Sequence, residues 1–337
     1  MAMQQMLLGS SSGGGGVVDV TLEAQNYGRT ANSPLLTDVG GTLSGQITTD
    51  WGFTGYYSFV VPSDATYEIT CRGVNGRFVN VMSTATPEML GAEIKANINV
   101  TAGWRLVFMA GQYGEITNDQ EGAGGGGMSA VAYTTNNTNN ASSVGQSLPL
   151  VVAGGGGGSC FDRSGYDHTV GDGNIPSTSH SGNMERGRAG DESGFPGSNC
   201  ESHGWTIGEG GKASDASCGG SINIAAWNGG GFYGDGTGCS ARSGGSHGQA
   251  FRNGCNGGNN QATSGYGGFG GGGGGANNCG YGGGAGGYSG GGSGGYSGGC
   301  GGHGGGGGSF YLTSGSNSLV SATNYNTRYG YVRIKSV

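Results

Sequence analysis

Charged residues are scarce in this chain. Asp, Glu, Lys and Arg make up 10% of its 337 residues, against roughly 25% in ordinary domains. Disordered segments combine low hydrophobicity with many charges, so a chain this poor in charge is not expected to be disordered throughout. Apolar residues are also few, at 33% against roughly 45–50%. The net charge of −7 argues against nucleic-acid binding, which needs Lys and Arg to neutralise phosphates. No run of about 18 apolar residues occurs, so no membrane span is expected. The opening Met1-Ala2-Met3-Gln4-Gln5-Met6-Leu7-Leu8 is too short and uncharged to read as a signal peptide, and standard secretory export is not expected. The cysteines fit no CxxC zinc spacing. No nucleophile–base pair or metal-ligand set emerges, so the reading is a non-enzymatic protein without cofactor or metal. No amphipathic helix of ten residues is visible.

Glycine is what the chain has instead. Of its 85 glycines, 62 lie beyond residue 150. The dividing stretch is Val151-Val152-Ala153-Gly154-Gly155-Gly156-Gly157-Gly158. Before it, short strands are separated by turn signals. Tyr56-Tyr57-Ser58-Phe59-Val60-Val61 ends at Pro62. Residues 66–72 alternate, with Tyr67, Ile69 and Cys71 on the face expected inward. Ile94, Ala96, Ile98 and Val100 form a second such set, and Trp104, Leu106 and Phe108 a third. Residues 128–133 and the fully apolar 148–153 are further strands. Residues 17–22 and 35–47 are weaker strand candidates, 30–34 a turn and 134–143 a polar loop. Strand-like sequence returns at Tyr331-Val332-Arg333-Ile334-Lys335. The expected class is all-β, a sandwich. Its expected parts are an attachment segment and linker over 1–50, a first sandwich part over 51–153, a glycine-rich insertion over 154–308 and closing strands over 309–337. Residues 148–153 and 331–334 are expected to pair.

The order Phe59-Val60-Val61-Pro62, Gly111-Gln112-Tyr113-Gly114, Gly124-Gly125-Gly126-Gly127-Met128-Ser129, Leu150 to Gly158, Gly230-Gly231-Phe232-Tyr233-Gly234-Asp235-Gly236, Gly267-Gly268-Phe269, Gly308-Ser309-Phe310 and Tyr329-Gly330-Tyr331-Val332-Arg333-Ile334 resembles a known domain. It is similar to the glycine-rich domain of the anaplastic lymphoma kinase and leukocyte tyrosine kinase ectodomains, over roughly residues 56–335. The resemblance implies a sandwich of the tumour-necrosis-factor, jelly-roll type carrying bundled polyglycine II helices. Unlike members of that family, this sequence is not expected to carry a kinase, a membrane span or a signal peptide. Tailed-phage adhesins also carry polyglycine II bundles, and the Met-rich start followed by Ser and Gly looks like the start of phage tail proteins.

Glycine loses the most entropy on ordering, so such a region folds only if its backbone groups find partners. Extended left-handed helices, with three residues per turn and no internal hydrogen bonds, can pair side by side, and only glycine permits that approach on every face. Residues 270–275 are expected to form one such rod. Tyr281, Tyr288 and Tyr296 are expected at turns or on the bundle surface.

Cys71 reads as a free core thiol. Cys160, Cys200, Cys218, Cys239, Cys255, Cys279 and Cys300 are disulfide candidates for stapling the glycine region, connectivity open. The five histidines read as solvated loop residues. Gly171-Asp172-Gly173-Asn174 and Gly234-Asp235-Gly236-Thr237 are similar to calcium loops but do not repeat, and read as turns. Trp205, Trp227, Phe232 and Tyr233 are candidates for a surface patch binding a host cell-surface protein or glycan. Met3, Met6, Leu7 and Leu8 are candidates for a peg docking into other virion proteins. The expected function is a non-enzymatic phage adhesin of the tail tip or fibre, located in the virion and oligomeric within it. The alternatives are a capsid-decoration or tail-connector protein without receptor role, and an extracellular ligand-binding module.

Overall fold

A computed structural model describes residues 17–25, 28–31, 35–38, 43, 45–77, 89–115, 122–159, 208–211, 226–237, 245–259, 265–276, 281–294, 296–297, 300–301 and 303–337. The strands are β1 (Asp19–Glu23), β2 (Leu35–Asp38), β3 (Thr48–Thr49), β4 (Tyr57–Val60), β5 (Ala65–Arg72), β6 (Gly91–Val100), β7 (Arg105–Met109), β8 (Ser129–Thr134), β9 (Leu148–Ala153), β10 (Tyr296–Ser297), β11 (Cys300–Gly301), β12 (Phe310–Tyr311), β13 (Ser318–Tyr325) and β14 (Tyr331–Ser336). One short helix, α1 (Ala141–Gly145), precedes β9, its N-terminus capped by the Asn140 side chain. It occupies part of the expected polar loop. No helix among the described residues is long and apolar enough to cross a membrane.

Two six-stranded antiparallel sheets form a sandwich. The first runs β13-β6-β5-β14-β1-β2 and the second β12-β9-β8-β7-β4-β3. The alternation read from the sequence sets the core between them. Tyr67, Ile69, Cys71, Ile94, Ala96 and Ile98 come from the first sheet and Phe59, Leu106, Phe108 and Val151 from the second. The opposite face of β5, β6 and β14 is polar. There Lys95 pairs with Glu68, Arg72 with Glu93 and Arg333 with Asp19.

Two expectations are corrected here. β9 and β14 do not pair, because they lie in opposite sheets. β14 sits between β5 and β1, and β9 between β8 and β12. The attachment segment and linker expected over 1–50 do not hold at β1, β2 and β3, which are strands of the two sheets. Val20 and Leu22 bury completely against Val332 and Ile334, and the Asp19 carboxylate accepts two bonds from the Arg333 guanidinium at 2.8 and 2.9 Å. That bidentate contact holds the Asp19 carboxyl below its usual range. The chain leaves the second sheet at the end of β9 and returns at β12, the strand paired with it through Val152 and Phe310.

In β7, β8 and β9 nearly every residue is buried. One face fills the sandwich. The other face, with Val107, Met109, Ala130, Ala132 and Val152, forms a second apolar cluster with aromatic residues from the glycine-rich part. A strand covered on both faces reads as a continuous apolar run rather than an alternation, which accounts for the pattern at 148–153.

Candidate binding site

Segment 282–288 shows how the glycine-rich part holds together. It donates to three neighbours with a period of three residues. Gly283 and Gly286 donate to the carbonyls of Ala123 and Gly126, Gly284 and Gly287 to those of Trp227 and Gly230, and Ala285 and Tyr288 to those of Gly305 and Gly308. Three further segments donate to it. Gly158 and Gly155 bond the carbonyls of Gly283 and Gly286, Gly294 and Gly291 those of Gly282 and Ala285, and Gly273 that of Gly284. Donor–acceptor distances run from 2.7 to 3.2 Å. One segment is thus surrounded by six, and backbone pairing does the work that an apolar core does elsewhere.

The spacing admits no side chain at most positions. A Cβ on Gly283 would lie 2.1 Å from the Gly273 oxygen, on Gly284 2.1 Å from the Gly291 oxygen and on Gly286 1.8 Å from the Gly270 oxygen. Gly270 and Gly271 depart from the expected rod over 270–275. Their φ of +104° and +81° make a turn, and the extended run begins at Gly272.

Aromatic side chains fasten this lattice to the outer face of the second sheet. Phe232 stacks on Phe251 at 4.7 Å and Tyr288 on Phe310 at 4.5 Å. The buried Tyr56 hydroxyl donates to the Phe251 carbonyl at 2.6 Å, and desolvation raises its phenol well above the ordinary range. Cys255 lies in the same cluster. Its φ of 57° is left-handed, and its carbonyl accepts from both Gly270 and Gly271 at 2.8 and 3.0 Å.

These contacts revise the sequence-derived site. Trp227 is 5% exposed and packs with Ala226, Ala276 and Tyr281, whereas Phe232 is 0% exposed and belongs to the sheet-facing cluster. Tyr233 is half-buried. The three therefore form no common surface patch. In a chain with few apolar residues, the large area of each ring is more stabilising inside than outside. Tyr281 and Tyr288 are buried too, Tyr288 at a bend. Cys255 is a buried free thiol rather than a disulfide partner, and burial pushes it up to about 12. Cys71 is also buried and free. Of Cys300 only the backbone is described, in β11. Met3, Met6, Leu7, Leu8, Cys160, Cys200, Trp205, Cys218, Cys239 and Cys279 lie outside the described residues.

A polar cavity of about 290 Å³ opens where the segment before β2 meets the glycine-rich part. Six side chains line it: Arg29, Asp235, Ser246, His247, Gln249 and Asn256. Backbone or side-chain bonds hold each of these residues. The Arg29 carbonyl accepts from Gly257 at 2.7 Å. Gln249 N–H donates to the Asn256 carbonyl at 2.8 Å, and the Asn256 amide returns a bond to Gln249 Oε1 at 2.9 Å. Ser246 and Asn259 are locked in the same reciprocal way, through backbone and hydroxyl. Asp235 Oδ1 accepts from the Ala250 N–H at 2.6 Å and from the Asn253 amide at 2.9 Å. His247 Nδ1 accepts from the Asn228 N–H at 3.0 Å, which puts the proton of the neutral ring on Nε2. This histidine is half-buried rather than solvated. The Arg29 guanidinium has no hydrogen bond or ion pair to any described residue, although its Nε is buried.

Sequence reasoning singled out none of this cavity as a site. Asp235 was legible only as part of a turn. Arg29 lies over 200 residues from its cavity neighbours, and nothing in its local sequence marks it. No protein-family model matches the chain, and no curated protein matches it.

Proposed function

We propose that this chain is a non-enzymatic protein of a tailed-phage virion, placed at the tail tip or fibre, where it binds the host surface. The observation that carries the reading is the segment 282–288 bonded to six neighbours. Donors that recur every third residue have the period of the extended three-residue-per-turn helix, which supports reading the glycine segments as a polyglycine II bundle. A body held by directional backbone bonds resists deformation without a large apolar core. Such a body suits a protein that presents loops rigidly and bears load. The jelly-roll resemblance fits the same reading.

The test is competition. Purified chain added to host cells should reduce adsorption of the particle that carries it, in proportion to occupancy. Undiminished adsorption at saturating protein would refute host binding. A second reading, a decoration or connector protein without receptor role, draws on the burial of Trp227 and Phe232, which removes the aromatic surface first expected to recognise the host.

A further inference from the structure

The cavity beside Arg29 combines four features that point to one ligand chemistry. Its charge is paired in kind but not in contact: a guanidinium without a partner among the described residues shares the wall with the Asp235 carboxylate. Apart from the Arg29 guanidinium, its polar groups are fixed by backbone and reciprocal amide bonds, so their geometry exists before any ligand arrives. Those bonds leave capacity over. Asp235 Oδ2 and Asn256 Oδ1 remain as acceptors, and Gln249 Nε2 and the Ser246 hydroxyl as donors, with no partner among the described residues. Lastly, the volume of about 290 Å³ falls just below the roughly 300–1,000 Å³ typical of ligand sites, room for one ring-sized molecule.

We propose that this cavity binds a single acidic sugar residue, with the sugar carboxylate on Arg29 and ring hydroxyls on Asp235, Gln249 and Asn256. A guanidinium binds a carboxylate through two parallel N–H bonds. Hydroxyls both donate and accept, which matches a wall of mixed amides and a carboxylate better than a simple anion would. A bare carboxylate would meet the Asp235 charge with no hydroxyl to offer it. The inference deepens the adhesin reading by naming its ligand class.

The experiment titrates the purified full chain with glucuronic acid, N-acetylneuraminic acid, glucose and acetate by calorimetry and saturation-transfer NMR. At least one acidic sugar should bind tenfold or more tighter than both glucose and acetate. Arg29→Gln should abolish that preference, and Arg29→Lys, which keeps the charge without the fork, should restore only part of it. The Arg29 side chain has no bond to lose, so Arg29→Gln should melt with the wild type. The proposal is overturned if neither acidic sugar binds, if acetate or glucose binds as tightly, or if Arg29→Gln leaves the preference intact. No particle enters the titration, so its failure removes this ligand alone and leaves adsorption competition to judge host binding.

Discussion

Substituting Gly286 by Ala tests the backbone lattice at its centre. The added methyl would lie 1.8 Å from the Gly270 oxygen, where ordinary contact begins at 3.4 Å. That oxygen would have to move by about 1.6 Å, the difference between the two. Hydrogen bonds occupy a window of about 2.7–3.2 Å, so a movement of that size breaks whatever the displaced backbone holds. Three bonds meet there: Met128 N–H to the Gly270 carbonyl at 2.9 Å, Gly286 N–H to the Gly126 carbonyl at 3.0 Å and Gly155 N–H to the Gly286 carbonyl at 2.9 Å. Each buried group left unpaired costs about 1–3 kcal/mol. Loss of two bonds with one unpaired group each therefore predicts about 2–6 kcal/mol of destabilisation. Against this, the smaller unfolded-state entropy of alanine contributes about 0.4–1 kcal/mol. Gly145, in α1, is the matched control, because its added Cβ meets nothing within 4 Å. Gly145→Ala should be neutral or slightly stabilising. Urea denaturation of both variants gives the comparison. Equal midpoints within error would show that the lattice yields at no cost, and the argument from backbone pairing would fall.

Gly272→Val should be at least as damaging, since its Cβ would lie 2.2 Å from the Gly125 oxygen; a melting curve like that of wild type would contradict this. Phe251→Ala removes a ring stacked on Phe232 and contacting Tyr56, and large core truncations of this kind cost about 3–5 kcal/mol, measurable in the same denaturation assay. Cys71 and Cys255, buried and held neutral by desolvation, should resist iodoacetamide in the native protein and react once it is unfolded, as mass spectrometry of the labelled peptides would reveal. The Asp19 carboxyl has a lowered folded value, so its contribution to stability is complete above the unfolded value near 3.8 and is lost as pH falls through the lower folded value. Asp19→Asn should therefore flatten the acid limb of the stability profile below pH 4, and an unchanged limb would mean that another carboxylate governs it.

The strand content and the inward faces of β5, β6 and β7 were legible because a period of two in side-chain polarity is a local signal. Glycine composition likewise marked residues beyond 150 as a region that needs backbone partners. What no local pattern contains is which backbone meets which. The placement of β14 between β5 and β1 pairs strands from opposite ends of the chain, bringing Asp19 to Arg333, 314 residues away. The burial of Trp227 and Phe232 in separate clusters depends on which glycine segments lie beside them, and one glycine run looks like another. The cavity needs Arg29 brought against Asp235 and Asn256 by the Gly257–Arg29 backbone bond. Composition and periodicity determined the class of this protein and the material of its scaffold. Long-range backbone pairing decided its strand order, its second apolar layer and the polar cavity beside Arg29, because hydrogen bonds between near-identical glycine segments are specified by three-dimensional register and not by side chains.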